Sequence, residues 1–295
     1  FGRGIMTQNG AHQFQTASIV DENESEIDKI KELVEVIKQK SNLVASPIPT
    51  LPEQVTLDIV EKQITDTTSV PIGVSKNSLK VVKYDFTSIV FNQILSNKLA
   101  YINAFMDSLL EVFVRIKELT VLFIDAANAM PEAQNKVYEN KKIQYYNDNF
   151  NEVIDKIISI EKNPDNRKFR ILYIIYGLEK FKQKSDNSKI EEMFKEVKVT
   201  ENSTIIACDS GKALKGLEYE QWLIRVKNSS DGIWIGKGLV DQQNFRISKI
   251  TKEMSTSFSN EYGYNIIESQ AELVKLINFN GLAVPNEEED GEDEE

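Results

Sequence analysis

The run Phe169-Arg-Ile-Leu-Tyr-Ile-Ile-Tyr176 carries a single charge and no polar–apolar alternation. A strand apolar on both sides has to be covered on both faces, which places it at the centre of a parallel sheet with helices above and below. Residues 119–124 and 203–208 have the same character. Between these runs the period changes to that of a helix. Ile102, Phe105, Met106, Leu109, Leu110 and Phe113 mark an inward face over residues 99–117, and Ile190, Met193 and Phe194 mark another. Strands alternating with helices predict an α/β domain with a mainly parallel central sheet.

The flanks differ. Residues 24–40 place Ile27, Ile30, Leu33, Val34 and Ile37 on one helical face, with acids at the start and Lys38 and Lys40 at the end, matching the helix dipole. The stiff Ser46-Pro-Ile-Pro-Thr-Leu-Pro52 then marks a boundary, because each proline fixes its own φ and drives its predecessor out of the helical region. Strands are expected at 70–74, 79–84 and 86–91, and a broken helical stretch at 131–162. In the final third, 222–226, 232–235 and 245–247 read as additional edge strands, and 264–267 against 273–277 reads as a hairpin.

Composition narrows the chemistry. The formal charge is −11, but residues 286–295 carry eight acids and no base, so removing that tail leaves −3 on the body. A near-neutral body offers no field to hold nucleic acid, and the tail, with like charges and nothing apolar to bury, is expected to be disordered. One histidine, His12, and one cysteine, Cys208, exclude a triad, an internal disulfide and a Cys/His zinc cluster. Cys208 reads as a buried strand thiol. No run approaches the roughly eighteen apolar residues that a bilayer span needs, and the chain opens on Phe1, as a piece of a longer protein would.

A phosphate-binding loop lies in outline near residue 92. On the pattern G-x-x-x-x-G-K-[ST], the glycines fall on Asn92 and Asn97, the lysine is kept as Lys98, and the hydroxyl residue becomes Leu99. Without glycines the backbone N–H groups cannot wrap a phosphate, and without the hydroxyl one Mg²⁺ ligand is gone. The alternative is an ordinary strand-to-helix turn.

The order of strand, degenerate loop, helix, strand, helical insert and two strands resembles a RecA-like P-loop NTPase core. Phe1-Gly-Arg-Gly-Ile-Met6 with Phe14-Gln-Thr-Ala17, Leu51-Pro52, Pro71-Ile-Gly73 and Gly232-Ile-Trp-Ile-Gly-Lys-Gly-Leu239 resemble the end of one module and the whole of the next in the EssC-type, FtsK/SpoIIIE-like motor ATPases of type VII secretion. The resemblance implies three segments: 1–50, the end of a preceding module and a linker helix; 51–284, the third ATPase module; and 285–295, the acidic tail. It puts the family's two Walker B acids on Tyr176 and Gly177, where neither side chain can bind magnesium or polarise water. Glu179 is the one rescue candidate, against a reading as a solvated acid at a helix start. Asp125 matches a position after the second strand and reads as a turn or cap residue. Asp209 occupies the sensor position, or caps the short helix after Gly211.

Loss at both motifs implies a non-hydrolysing module that recognises substrates and regulates export, with no cofactor expected beyond weak residual ATP and Mg²⁺ binding; an active ATPase module is the alternative. The implied partners are secreted helical-hairpin proteins of EsxA-like or LXG type and neighbouring motor subunits in a hexameric ring, at the cytoplasmic face of the membrane. An apolar groove beside the vacated nucleotide site would suit such a helix. Tyr101, Phe105, Trp234 and Phe245 are candidate contacts, against a reading of each as core.

Overall fold

The computed structural model describes residues 3–6, 12–15, 25–40, 50–65, 69–138, 141–163, 169–198, 203–255 and 258–285. The chain divides into two units, Phe1–Pro49 and Thr50–Glu295. The first holds an antiparallel pair, β1 (Arg3–Met6) and β2 (His12–Gln15), and the helix α1 (Glu26–Lys40). As its charge pattern predicts, α1 begins with Glu26 and Asp28 and ends with Lys38 and Lys40. The acidic tail and most of the proline-rich stretch lie outside the described residues.

The second unit runs α2 (Leu57–Val60), β3 (Ser69–Ser75), β4 (Val81–Asp85), β5 (Phe91–Ser96), α3 (Asn103–Arg115), β6 (Leu119–Asp125), β7 (Val137–Tyr138), β8 (Lys141–Lys142), β9 (Gln144–Tyr146), α4 (Phe150–Lys162), β10 (Arg170–Tyr176), α5 (Leu178–Gln183), α6 (Asn187–Glu196), β11 (Ser203–Ser210), α7 (Gly211–Gly216), α8 (Gln221–Val226), β12 (Gly232–Ile235), β13 (Tyr262–Ile267) and β14 (Gln270–Leu276). One ten-stranded sheet has the order β4-β3-β14-β13-β12-β5-β11-β10-β6-β9. From β12 to β9 every neighbour is parallel, and from β12 to β4 every neighbour is antiparallel.

β10 lies between β11 and β6, parallel to both. Successive side chains point to opposite faces, so Leu172, Ile174 and Tyr176 join one core with Phe105, Met106 and Leu109 of α3. Ile171, Tyr173 and Ile175 join the other, with Ile154 and Ile157 of α4 and Ile190 and Met193 of α6. Each such side chain is worth about 1.5–3 kcal/mol on burial, which is why this strand is apolar on both faces. The hairpin β13–β14 turns through Glu268 and Ser269, both with positive φ (50° and 65°), the conformation that matches the strand twist in a two-residue turn.

Four expected elements take another form. Residues 86–90 are a turn built on Asp85, whose Oδ1 accepts from the Thr87 amide and hydroxyl, both at 2.9 Å, and the strand starts later, at Phe91. The apolar Phe86 packs edge-on against Phe113 instead. The first half of 131–162 is not α-helical: Pro131 opens a 3₁₀ turn, β7 and β8 pair, and β9 extends the sheet beside β6. Residues 222–226 form α8 rather than a strand, with Trp222 and Leu223 buried. Residues 245–247 are loop, with Phe245 buried and Ile247 packed part-buried on the same core.

Candidate functional site

β5 ends at Ser96, and a 3₁₀ turn, Leu99–Ile102, leads directly into α3. Only Asn97 and Lys98 separate strand from helix, and Lys98 is extended (φ −131°, ψ 141°). Two residues cannot curl around a phosphate, whose cradle needs several consecutive N–H groups. The placement of Asn92 in such a loop is therefore corrected. Asn92 is the second residue of β5 and fully buried. Its Nδ2 donates to the Phe86 carbonyl at 2.8 Å and to the Thr204 hydroxyl at 3.0 Å, and its Oδ1 accepts from the Tyr84 hydroxyl at 3.0 Å. It fastens the turn before β5 to the sheet. Asn92→Leu should destabilise the protein by about 2–3 kcal/mol, since three buried partners lose their bond; urea unfolding measures it, and a loss under about 0.5 kcal/mol would contradict this role.

Across the crevice, Tyr176 ends β10, with its ring between β10 and α3. Its hydroxyl shares a proton between the Leu99 carbonyl, 3.0 Å away, and the side-chain oxygen of Asn103 in the first turn of α3. In a working P-loop enzyme, Mg²⁺ bridges the hydroxyl residue of the loop and the acid of this strand. Here those two positions are tied directly to one another. The Tyr176 ring stacks on Phe123 at 5.9 Å, and Phe123 stacks on Tyr145 at 6.0 Å, so the space is filled by aromatic carbon. Burial, reinforced by Cys208, Asp125 and Asp209, pushes the Tyr176 phenol well up, keeping it neutral.

Gly177 follows with φ +84°, its N–H donating to the Cys208 carbonyl at 2.8 Å. A Cβ there would stand 3.0 Å from that of Ala127, so a side chain at this position is strained by the backbone conformation and crowds its neighbour. Asp125 behaves as the turn residue expected: it accepts from the amides of Ala129 (3.1 Å) and Met130 (2.7 Å) and from the Tyr145 hydroxyl (2.9 Å). Asp209 does not cap α7. Ser210 does, its Oγ accepting from the Ala213 amide at 3.1 Å. Asp209 instead accepts from the Glu179 amide at 2.9 Å, holding the first turn of α5, where Glu179 is the helix-start acid. Burial raises the Asp209 pKa, and the amides of Glu179 and Ser210 oppose the rise. Cys208 is fully buried in β11, as expected. Asn103 and Ser210 were missed. Ser210 was findable, as a serine three residues before Ala213 at a helix start; Asn103 was not, because nothing local links it to residue 176.

No family model matches the sequence, and no curated protein matches it. Solved structures do match. The cytoplasmic domain of EssC superposes with a TM-score of 0.63 over 92% of this chain at 12% identity. EssC ATPases 2 and 3 from Geobacillus thermodenitrificans give 0.67 over 95% at 14%. The chain has the fold of the EssC and EccC ATPase modules. Thermomonospora curvata EccC ATPases 2 and 3, in complex with a signal sequence peptide, give 0.59 over 95% at 14%. The pCW3 conjugation coupling protein TcpA with ATPγS gives 0.55 over 86% at 10%. The chain spans 56% of the length of each EssC structure and 54% of that EccC structure. The expected RecA-like α/β architecture is thus the one found.

On this EssC-type fold the four candidate partner contacts are all core. Tyr101, Phe105, Trp234 and Phe245 are 2%, 3%, 1% and 5% exposed, so each packs chiefly within the core. Hydrophobic periodicity marked them, and it marks a core face as readily as a docking face. A pocket of about 310 Å³ lies beside Asn97, where Lys212, Lys215, Asp241 and Gln243 share the lining with Trp234. A second cleft of about 330 Å³, reached by Phe105, lies between Val55, Leu276 and Leu282. Among the described residues no three His, Cys, Asp or Glu could hold a metal ion, and no helix is long and apolar enough to cross a membrane.

Proposed function

We propose that this chain carries a non-hydrolysing ATPase module of a type VII secretion motor, one that recognises secreted substrates and regulates their export while other modules hydrolyse ATP. The observation that carries the reading is the bond from the Tyr176 hydroxyl to the Leu99 carbonyl and Asn103, across the position where magnesium and the β- and γ-phosphates would lie. A module retaining a ten-stranded sheet and a complete core while its phosphate site is closed keeps a surface, not a reaction. The EccC neighbour in complex with a signal sequence peptide supports a peptide-recognising role for this fold. We extend that to secreted helical-hairpin partners of EsxA-like or LXG type, and to assembly as one module of a ring-forming motor at the cytoplasmic side of a membrane. Phosphate release from ATP with Mg²⁺ is expected to stay at background. Turnover that disappears in Lys98→Ala would overturn the proposal.

A further inference from the structure

We propose that residues 281–285 form an autoinhibitory strap: they occupy a cleft suited to an extended peptide, and an extended segment of a partner protein displaces them. The inference rests on the reading of this module as one that recognises peptides, and adds to it a place and a means of regulation. The position comes first. The last bonds to the sheet after β14 are those of the Ile277 amide to the Ile72 carbonyl and of the Asn278 amide to the Val55 carbonyl, both 3.1 Å. Residues 281–284 then line a cleft of about 330 Å³ whose other walls include Gln54, Val55, Phe105, Asn260 and Leu276. Residues 281–285 run without helix, turn or bend, and Pro285 favours an extended Val284.

The root of the segment is fixed and the rest is held by its main chain. The Phe279 amide donates to Ser108 Oγ at 2.8 Å and Asn280 Nδ2 to Asp107 Oδ2 at 2.8 Å, which ties both residues to α3. Gly281 follows with φ +60°, a hinge conformation that glycine adopts without strain. Beyond it two carboxamides grip the backbone. Asn278 donates from Nδ2 to the Leu282 carbonyl at 2.9 Å and accepts at Oδ1 from the Leu282 amide at 3.0 Å, and Asn260 Nδ2 donates to the Pro285 carbonyl at 2.6 Å. A side-chain amide that meets both polar groups of one residue does what a neighbouring strand would do, so it reads main chain rather than sequence. Asn260 is set in advance: it is buried, and its Oδ1 stands 2.2 Å from where a Cβ on Gly236 would lie.

Burial adds little to that grip. Leu282 is 42% exposed, Ala283 and Pro285 are exposed, and Val284 is half-buried. A segment with so little apolar burial opens at a small fraction of the global unfolding free energy. Charge acts in the same direction. Glu53 and Glu261 share the lining with one lysine, Lys275, which reaches Glu261 at 3.6 Å, and the sequence just past Pro285 carries eight acids in residues 286–295. Like charges repel over a Debye length of about 8–10 Å. A partner segment with small apolar residues of the same kind and no acidic flank therefore replaces the strap at an advantage. The cleft also reaches α3 through Ala104 and Phe105, next to the Asn103 that bonds Tyr176, so its occupant touches the helix that closes the phosphate-loop position.

The test titrates a fluorescein-labelled, amidated peptide Gly-Leu-Ala-Val-Pro, the strap's own sequence, with the whole chain and with the full-length variant Leu282→Gly/Val284→Gly/Pro285→Gly, whose strap has lost its side chains. Anisotropy is expected to show saturable binding to the variant and at least tenfold weaker binding to the parent, where the tethered strap competes at an effective concentration of order millimolar. Adding Asn278→Leu to the variant should weaken binding at least fivefold; if that protein does not fold, Asn260→Ala takes its place. In the parent, saturating peptide should speed hydrogen exchange at the Leu282 amide at least threefold, because the strap's bond to Asn278 is given up. Equal affinity for parent and variant, no saturable binding to the variant, full affinity after the asparagine is replaced, or unchanged exchange at Leu282 would each overturn the proposal. ATP takes no part in these measurements, so ATP turnover would sink the reading of a non-hydrolysing module without touching the strap, and failure of the strap leaves that reading in place.

Discussion

Replacing Trp234 with alanine should cost about 3–5 kcal/mol of folding stability, the range for a large aromatic removed from a core. Against a total of roughly 5–15 kcal/mol for a natural domain, that is enough to unfold a marginal protein. Trp234 is 1% exposed in the middle of β12, with Leu95 of β5 beside it on one side and Tyr264 of β13 on the other. Its strand is the one where the parallel and antiparallel halves of the sheet meet. Its ring also fills the space over Gly211, where an added Cβ would stand 3.0 Å from it. Alanine would leave a cavity bordered by two strands and the start of α7, none of which can collapse without breaking sheet pairing. On the proposed role, any loss of export in this variant should track the loss of fold, while Trp234→Phe keeps most of the volume and should cost less than half as much. Urea unfolding followed by far-UV circular dichroism decides the matter: an unchanged midpoint with export abolished would return Trp234 to the list of partner anchors.

The same residue shows what the sequence could and could not say. Pattern reading placed the parallel core because β10, β6 and β11 are apolar on both faces, a property that only helices on both sides of a sheet explain. It also found the β13–β14 hairpin. What it misplaced were elements decided by tertiary partners. Trp222-Leu-Ile-Arg-Val226 is too short for period to separate strand from helix, and it became α8 because Trp222 packs on Phe194 of α6 with ring centroids 4.6 Å apart. Residues 86–91 looked like a strand because Phe86 and Phe91 are both core, yet Asp85 makes a turn between them. That slip moved the apparent start of the phosphate loop to Asn92, five residues before the strand-to-helix junction at Asn97. The candidate site was legible as a set of missing groups at Leu99, Tyr176 and Gly177. Its closure was not, since it depends on a contact between residues 77 positions apart.

Placing an acid at position 176, where the resemblance puts a Walker B carboxylate, should damage this protein. Tyr176→Asp removes a ring stacked on Phe123 and a hydroxyl bonded to the Leu99 carbonyl, and it puts a carboxylate at a position with no solvent exposure. Burial first, and then Cys208, Asp125 and Asp209, raise the Tyr176 pKa and would raise that of an acid there in the same way. Beside Asp125 and Asp209, the new carboxylate combines a cavity with a buried charge, and the expected loss is at least about 4 kcal/mol. Its folded pKa would lie above the unfolded value of about 3.9, so the folded state would bind the extra proton. The deficit should therefore be largest at neutral pH and shrink as the pH falls toward that value. Tyr176→Phe, which keeps the stack and loses only the hydroxyl, should cost about 1–2 kcal/mol with little dependence on pH below 9 or so. No ATP turnover should appear in either variant, because Asn97 and Lys98 are still too few to wrap a phosphate and Gly177 still excludes a second acid. Urea midpoints between pH 4.5 and 8, with phosphate release assayed alongside, test both halves. A Tyr176→Asp protein as stable as the parent, or one that hydrolyses ATP, would mean that the crevice holds water and a cation rather than the aromatic stack.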